Sequence, residues 1–349
     1  MKYPILKLLA PLTLISVFVV CLAYMVIQHN LDRPVALSET MDLDPQGRLL
    51  WSIERGSNLN KVNARLQDQR IILYPWLLTA YARLFDLTSI QAGEYWIDPT
   101  DTPLTLLNKF NRGQVVLYKI TFLEGWTFKQ WLQHLAEVPQ FSAVTSMDQS
   151  ELLEAADIDI SHPEGWFFPD TYSYRKNDSL FDILNQAHKH MRSELSRAWQ
   201  SRASDLPYKT AYEALIMASI IEKETGLAAE RPAIAGVFVR RLLKGMRLQT
   251  DPTVIYGMGD RYQGNIRHRD LKQHTPYNTY RVNGLPPTPI AMPGAASIQA
   301  ALHPQLGSSL YFVARGDGGH HFSDNMRDHL EAVRHYQIEQ RAQEYQSAP

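Results

Sequence analysis

Twenty consecutive residues near the start of the chain, Leu8 to Ile27 (LLAPLTLISVFVVCLAYMVI), carry no charge. As a helix this run is about 30 Å long, which matches the hydrocarbon core of a bilayer. Lys2 and Lys7 precede it, and His29, Asp32 and Arg33 follow. The positive-inside rule then places the N-terminus in the cytoplasm and the rest of the chain across the membrane, as a single-pass protein of the cytoplasmic membrane with an extracytoplasmic folded part. A cleaved signal peptide is the competing reading. Against it, the run is long and no small-x-small site closes it. Cys21 hints at a lipoprotein, but Val20 is not the small residue such processing prefers.

The remaining chain is long enough for two or three domains within its 349 residues. A formal net charge of -1 gives no basic field, so nucleic acid is not an expected partner. The single cysteine excludes an intramolecular disulfide and any multi-cysteine metal site. His303, His320, His321 and His329 cluster late but lack a ligand motif such as HExxH, so neither a metal nor another cofactor is expected. Gly316–Gly319 has no Gly-Lys-Ser/Thr after it and reads as a turn, not a phosphate loop.

Pattern and punctuation suggest an α+β chain. Residues 1–30 hold the cytoplasmic N-terminus and the anchor, and the polar stretch 31–47 reads as a linker. A small module follows at 48–115: a strand over Gly47–Glu54, helices near Ser57–Gln67 and Pro75–Phe85, a strand at Gly93–Ile97, and a helix opened by Pro103. Residues 116–345 then form a mixed α+β domain with long, ordered, Pro/Gly-rich loops. Its opening, a strand over Val115–Phe122 followed by Glu124, Gly125, Thr127 and a helix, echoes Ile53-Glu54-Arg55-Gly56-Ser57 and the helix after it. Strand–helix–helix–strand modules of this size include the LysM-type glycan binders, though a generic adaptor fits the pattern as well. Further helices are expected at 180–198, 207–225, 230–244, 296–302 and 323–342. Long loops within a compact domain are often functional, so the chemistry is sought here.

The segment Ala211–Thr225 (AYEALIMASIIEKET) is apolar nearly all round and stops at Gly226, as a central helix would. At 100° per residue Glu222 shares a stripe with Ala211, Leu215, Ala218 and Ser219, while Glu224 falls between Met217 and Ile220. A carboxyl among small apolar neighbours resists ionisation and leaves room for a ligand, as a general acid requires. A helix-terminal Glu paired with Arg or Lys is the plain alternative. Loops downstream carry Gln249, Thr250, Asp251, Tyr256, Tyr277, Asn278, Thr279 and Tyr280. Amide, hydroxyl, carboxylate and flat aromatic groups together suit the edges and faces of sugars; equally, Tyr and Pro simply hold long loops in shape.

These residues resemble the endolytic murein transglycosylases of the YceG-like family. The likeness runs through Ala218–Thr225, Arg241–Leu242, Gly245–Thr253, Tyr277–Tyr280, Gly284–Pro287, Pro293-Gly294, His303-Pro304, Tyr311–Val313, Gly319-His320, Phe322 and His329. The anchor, the small module and Glu164–Tyr172 fit too. Thr288, where the family favours Gly, and Met292, where it favours Asn, depart from the pattern.

The resemblance implies an anchor, a LysM-like module and a catalytic domain whose catalytic glutamate is Glu222. It implies cleavage of the N-acetylmuramic acid to N-acetylglucosamine bond in nascent peptidoglycan strands, leaving 1,6-anhydro ends, and cell-wall synthases as partners. Ser219, Gln249, Asp251, Tyr277, Asn278, Thr279 and Tyr280 are the expected sugar-binding residues. Two other readings stay open: a hydrolytic muramidase using Glu222 and Asp251, and a non-catalytic membrane scaffold that binds glycan.

Overall fold

A computed structural model describes residues 18–339 apart from 20 and 23. Most of the predicted span Leu8–Ile27 lies outside these residues, and among the described residues no helix is long and apolar enough to cross a membrane. The chain divides into two units, residues 1–118 with 173–178, and 119–172 with 179–349. Residues 173–178 thus return to the first unit, although the sequence places them in the second domain.

In the first unit, β1 (Leu49–Ile53) leads through α1 (Leu59–Asp68) and α2 (Pro75–Leu84) to β2 (Gly93–Ile97), and α3 (Pro103–Arg112) follows. The strands pair antiparallel with Trp51 opposite Tyr95 and Ile53 opposite Gly93. Alternation turns Trp51 and Ile53 inward. The ring of Phe110 from α3 meets Trp51 at 5.6 Å and Tyr95 edge-on at 4.8 Å, filling the centre of the core. Thr102 caps α3 reciprocally with Thr105, and Gly113 ends it at φ 64°. The stretch expected as a linker is not one: Leu31 and Val35 are buried in this core. Their apolar side chains, dispersed among polar neighbours, escape a composition argument but are driven inside once the core exists to receive them.

The second unit opens with β3 (Tyr118–Thr121), α4 (Phe128–Ala136) and α5 (Gln149–Ala155). Strand β4 (Thr171–Tyr174), which pairs with β3, stands where only an ordered loop is expected. The internal echo is realised in backbone terms: Gly56 and Gly125 both turn through left-handed φ, at 78° and 76°, before helices capped by Asn58 and Thr127.

Helix α6 (Leu180–Gln200) buries Ile183, Ala187, Met191 and Leu195 on one stripe. Helix α7 (Ala211–Glu224), with every residue from Ala214 to Ile221 buried, is central. It begins at Ala211, with Thr210 as N-cap, four residues later than the Pro207 start suggests. Around it lie α8 (Arg231–Leu243), α9 (Asp251–Met258) and, beyond α10 (His268–Lys272), α11 (Ala295–Leu302). Helix α9 occupies a stretch expected as loop, because its eight residues are too few to display a periodicity. The C-terminal part is a hairpin of β5 (Tyr311–Ala314) and β6 (His320–Ser323), then α12 (Met326–Val333), which runs on into wider π-type turns over Arg334–Glu339; the helix expected over 323–342 thus starts three residues later, and its last three positions lie outside the described residues.

Candidate active site

Glu222 sits on the last turn of α7 with its side chain 5% exposed. One oxygen, Oε1, accepts from Nη2 of Arg231 at 2.9 Å, and Oε2 accepts from the Gly294 backbone N–H at 3.0 Å. Arg231 opens α8 and Gly294 is the N-cap of α11, so three helix ends converge on one carboxylate. The positive end of the α11 dipole adds to the attraction.

A second carboxylate stands across the guanidinium. Oε2 of Glu124, on the exposed loop before α4, lies 3.5 Å from the same Arg231 nitrogen. Burial first, and then the charge of Glu222, push the Glu124 carboxyl above its ordinary range, while Arg231 pulls the other way. The loop is held by a two-way bond to Met292: Gly125 N–H donates to Met292 O at 2.9 Å, and Met292 N–H to Trp126 O at 2.8 Å. A Cβ at 294 would lie 1.8 Å from Oε1 of Glu124, so any larger residue there would displace the Glu124 carboxylate from its present place. Arg231 itself is 9% exposed in its side chain, and its Nε is buried without a partner. Just before it, Glu230 accepts from the His320 backbone N–H and meets His320 Nδ1 at 2.8 Å, tying β6 to the start of α8.

The small residues on the Glu222 stripe do not leave an open space. Ala218 and Ser219 are fully buried, and Ser219 Oγ accepts from the Ile290 N–H at 3.0 Å while donating to Ile216 O. Their smallness lets the 289–294 segment approach α7 and deliver Gly294 to the carboxylate. The expected isolated acid is instead an ion-paired one, as the plain alternative had it.

Most of the expected sugar-binding residues lie elsewhere. Gln249, Asp251 and Tyr280 gather beside Glu224, roughly 200° around the helix from Glu222. The Tyr280 hydroxyl donates to Asp251 Oδ1 at 2.7 Å, and Thr250 Oγ1 donates to Glu224 Oε2 at 3.2 Å. Burial, and after it the Asp251 charge, raise Glu224 to about 8. Gln249 is exposed with φ at 53°, a strained conformation for a side-chain-bearing residue. Asn278 and Thr279 are fully buried. Asn278 Nδ2 donates to the carbonyls of Asp270, Leu271 and Gln273, and Thr279 binds Thr250 and Thr253, so both are loop clamps with no surface for a sugar. Tyr277 meets Thr288 Oγ1 at 2.9 Å and Tyr256 edge-on at 5.0 Å. Of the two departures from the family pattern, Thr288 thus gains a tyrosine partner and Met292 anchors the Glu124 loop through its backbone.

Glu164, 3% exposed, accepts from the Phe128 N–H at 2.9 Å and the Tyr256 hydroxyl at 3.0 Å. Burial raises it from 4.5 to about 7. A carboxyl raised on folding binds its proton more tightly in the native state, so its stabilisation is complete below its unfolded value and is lost as pH rises through the folded one. At about 1.4 kcal/mol per unit, the swing is roughly 3 kcal/mol. Denaturant titrations should therefore find Glu164→Gln gaining on wild type by that amount between pH 5 and 8; a constant difference over the range would contradict the assignment.

The sequence by itself does not mark Glu124, Arg231 or Gly294 as site residues. Glu124-Gly125 stood out only as a repeat, and nothing in spacing marks the Arg that begins α8 as the partner of a Glu nine residues earlier.

A model of the YceG-like family matches residues 51–335. The endolytic murein transglycosylase of Bacillus subtilis (strain 168) is 29% identical over 324 residues, covering 86% of this chain and 88% of that protein. That of Streptococcus pneumoniae serotype 2 is 26% identical over 324 residues, covering 83% of this chain and 58% of the longer pneumococcal protein. A 2.6 Å crystal structure of a YceG-like protein from Listeria monocytogenes is 30% identical and superimposes with a TM-score of 0.52, covering 81% of this chain and 98% of the other. Matched from β1 through the turn after α12, and across the elements that bring Glu124, Glu222, Arg231 and Gly294 together, the chain belongs to the YceG-like family.

Proposed function

We propose that this chain is an endolytic lytic transglycosylase of peptidoglycan, cutting the N-acetylmuramic acid to N-acetylglucosamine bond within glycan strands, with Glu222 as general acid and then base. The observation that carries the reading is the likeness, over most of both chains, to a protein named for this activity. The carboxylate held between three helix ends supports the choice of residue.

Protonated Glu222 gives its hydrogen to the glycosidic oxygen as the bond to the muramic C1 breaks. The resulting carboxylate takes the proton from the C6 hydroxyl, whose oxygen closes on C1. Glu222 ends protonated as it began and no water is consumed. The nucleophile is the sugar's own, so the paired carboxylates of ordinary glycosidases are not required. Arg231 must release Glu222 for the acid form to act, and Glu124 stands where it can receive the freed guanidinium. Arg231 and Glu124 are positioning residues on this reading.

Residues 8–27 anchor the chain in the cytoplasmic membrane with the folded part outside, where its substrate and the cell-wall synthases act. The strand–helix–helix–strand unit is a LysM-like glycan-binding module.

Hydrolysis is the second reading, and one observation favours it: a second carboxylate does neighbour Glu222. That group is Glu124, not the Asp251 expected from sequence, which pairs with Tyr280 beside Glu224. Mass spectrometry of strands cut by the purified protein decides between them, because anhydro ends lack one water relative to reducing ends. Anhydro products are expected; reducing ends alone would make the enzyme a muramidase.

A further inference from the structure

The first unit carries a cluster of exposed apolar side chains that its own core does not explain. Leu73, Tyr74, Trp76, Leu84 and Phe85 are exposed by 58%, 49%, 65%, 78% and 51%. All five fall within thirteen residues, on α2 and the turn that enters it. Helix α2 buries Leu77, Leu78 and Ala82 on its inner face, while Trp76, Ala80, Arg83 and Leu84 share the outer one. Exposed apolar side chains concentrated in one short segment call for a partner.

The position of the patch identifies the partner. Leu31 and Val35, on the segment that enters the unit, are buried in its core, and the Ala36 N–H donates to Ile71 O at 3.2 Å. Arg33, Pro34, Leu73 and Tyr74 line one groove, so the entering chain and the apolar turn are side by side. Upstream the chain is helical at residues 24–31, and Phe18, Val19, Leu22, Tyr24, Met25 and Val26 are exposed by roughly half or more. These residues continue the uncharged run that begins at Leu8.

We infer that the Leu73–Phe85 face of the first unit rests in the headgroup layer of the membrane that holds the anchor. A Trp, a Tyr and an Arg beside leucines are the side chains suited to that layer, where one part of each stays wet. The inference rests on reading residues 8–27 as the anchor, and it adds that the module lies on the bilayer and does not swing on a linker.

The test uses the full-length chain with Cys21→Ser and single cysteines, Trp76→Cys, Leu84→Cys or Arg112→Cys, each labelled with bimane. Arg112 is exposed on α3, outside the Leu73–Phe85 segment. The proteins are reconstituted into phosphatidylethanolamine–phosphatidylglycerol vesicles. A probe seated about 5–10 Å into the headgroup and acyl boundary shifts to the blue and is quenched by shallow doxyl lipid. That result is expected at 76 and 84 and not at 112. Flotation with the vesicles, but probes at 76 and 84 as wet as that at 112, overturns the inference and leaves the anchor standing. Probes that are dry yet unquenched by lipid mean that a second copy or another protein covers the face, which also overturns it. Failure to float removes the anchor and the inference together.

Discussion

Glu222→Gln is expected to lower strand cleavage by about a hundredfold to ten-thousandfold, the range a positioned general acid contributes, with folding intact. Gln keeps the shape of Glu and an oxygen for the Gly294 N–H, and Arg231 keeps the Glu124 charge within 3.5 Å. The loss therefore falls on the proton and not on the scaffold. The matching measurement is Glu224→Gln. Glu224, raised to about 8 by burial and Asp251, is a carboxyl on the same last turn of α7 that holds a proton near neutral pH. Should Glu224→Gln be inactive while Glu222→Gln cuts at the wild-type rate, the acid has been assigned to the wrong face of the helix.

The second large effect concerns Arg231. Its guanidinium is nearly enclosed and neutralises Glu222 at 2.9 Å with Glu124 just beyond. Arg231→Met leaves two carboxylates facing each other without their cation. Removing one partner of a buried pair costs about 3–5 kcal/mol, and about 10 °C in melting temperature follows for a unit of this size. Glu124→Gln in the same protein should restore part of that loss, because one of the two stranded charges is gone. Calorimetry on the single and double variants reads both steps. A single variant that melts with wild type would mean the ion pair does not hold the carboxylate in place. Activity supplies the second readout: if Arg231 must let Glu222 go before the bond breaks, Glu124→Gln should alter the pH profile of cleavage and spare strand binding.

The arrangement of Glu222, Arg231 and Glu124 also bears on why the last turn of one helix carries two carboxyls with different fates. On α7 the residues from Ala214 to Ile221 are buried, and the helix emerges from the core only at its last turn. Glu222 there meets two helix N-termini that bring a cation and a backbone N–H. Glu224, turned the other way, meets Asp251 and the hydroxyl of Thr250, with Arg241 spending its donors on the carbonyls of Leu248 and Leu310. The identical side chain is ion-paired in one place and kept neutral in the other by what the neighbouring loops present.

Local patterns were sufficient for much of this molecule. The apolar periodicity of α6, the all-round apolarity of α7, the Thr102 and Thr127 caps and the alternation of β1 are properties of residues within a few positions of each other, and they are legible without a fold. The run of motifs from Ala218 to His329 likewise led to the family. What tertiary structure decided was which groups meet. Glu222 and Glu124 stand almost a hundred residues apart and Gly294 seventy-two beyond Glu222, so no spacing rule joins them. Ser219, Asn278 and Thr279 look like ligand groups in the sequence because hydroxyls and amides suit sugars, but they also suit buried turns, and burial is set by the packing of distant segments. A sequence records which hydrogen-bonding groups are available; only the closed chain determines which of them are used up inside it and which face outward.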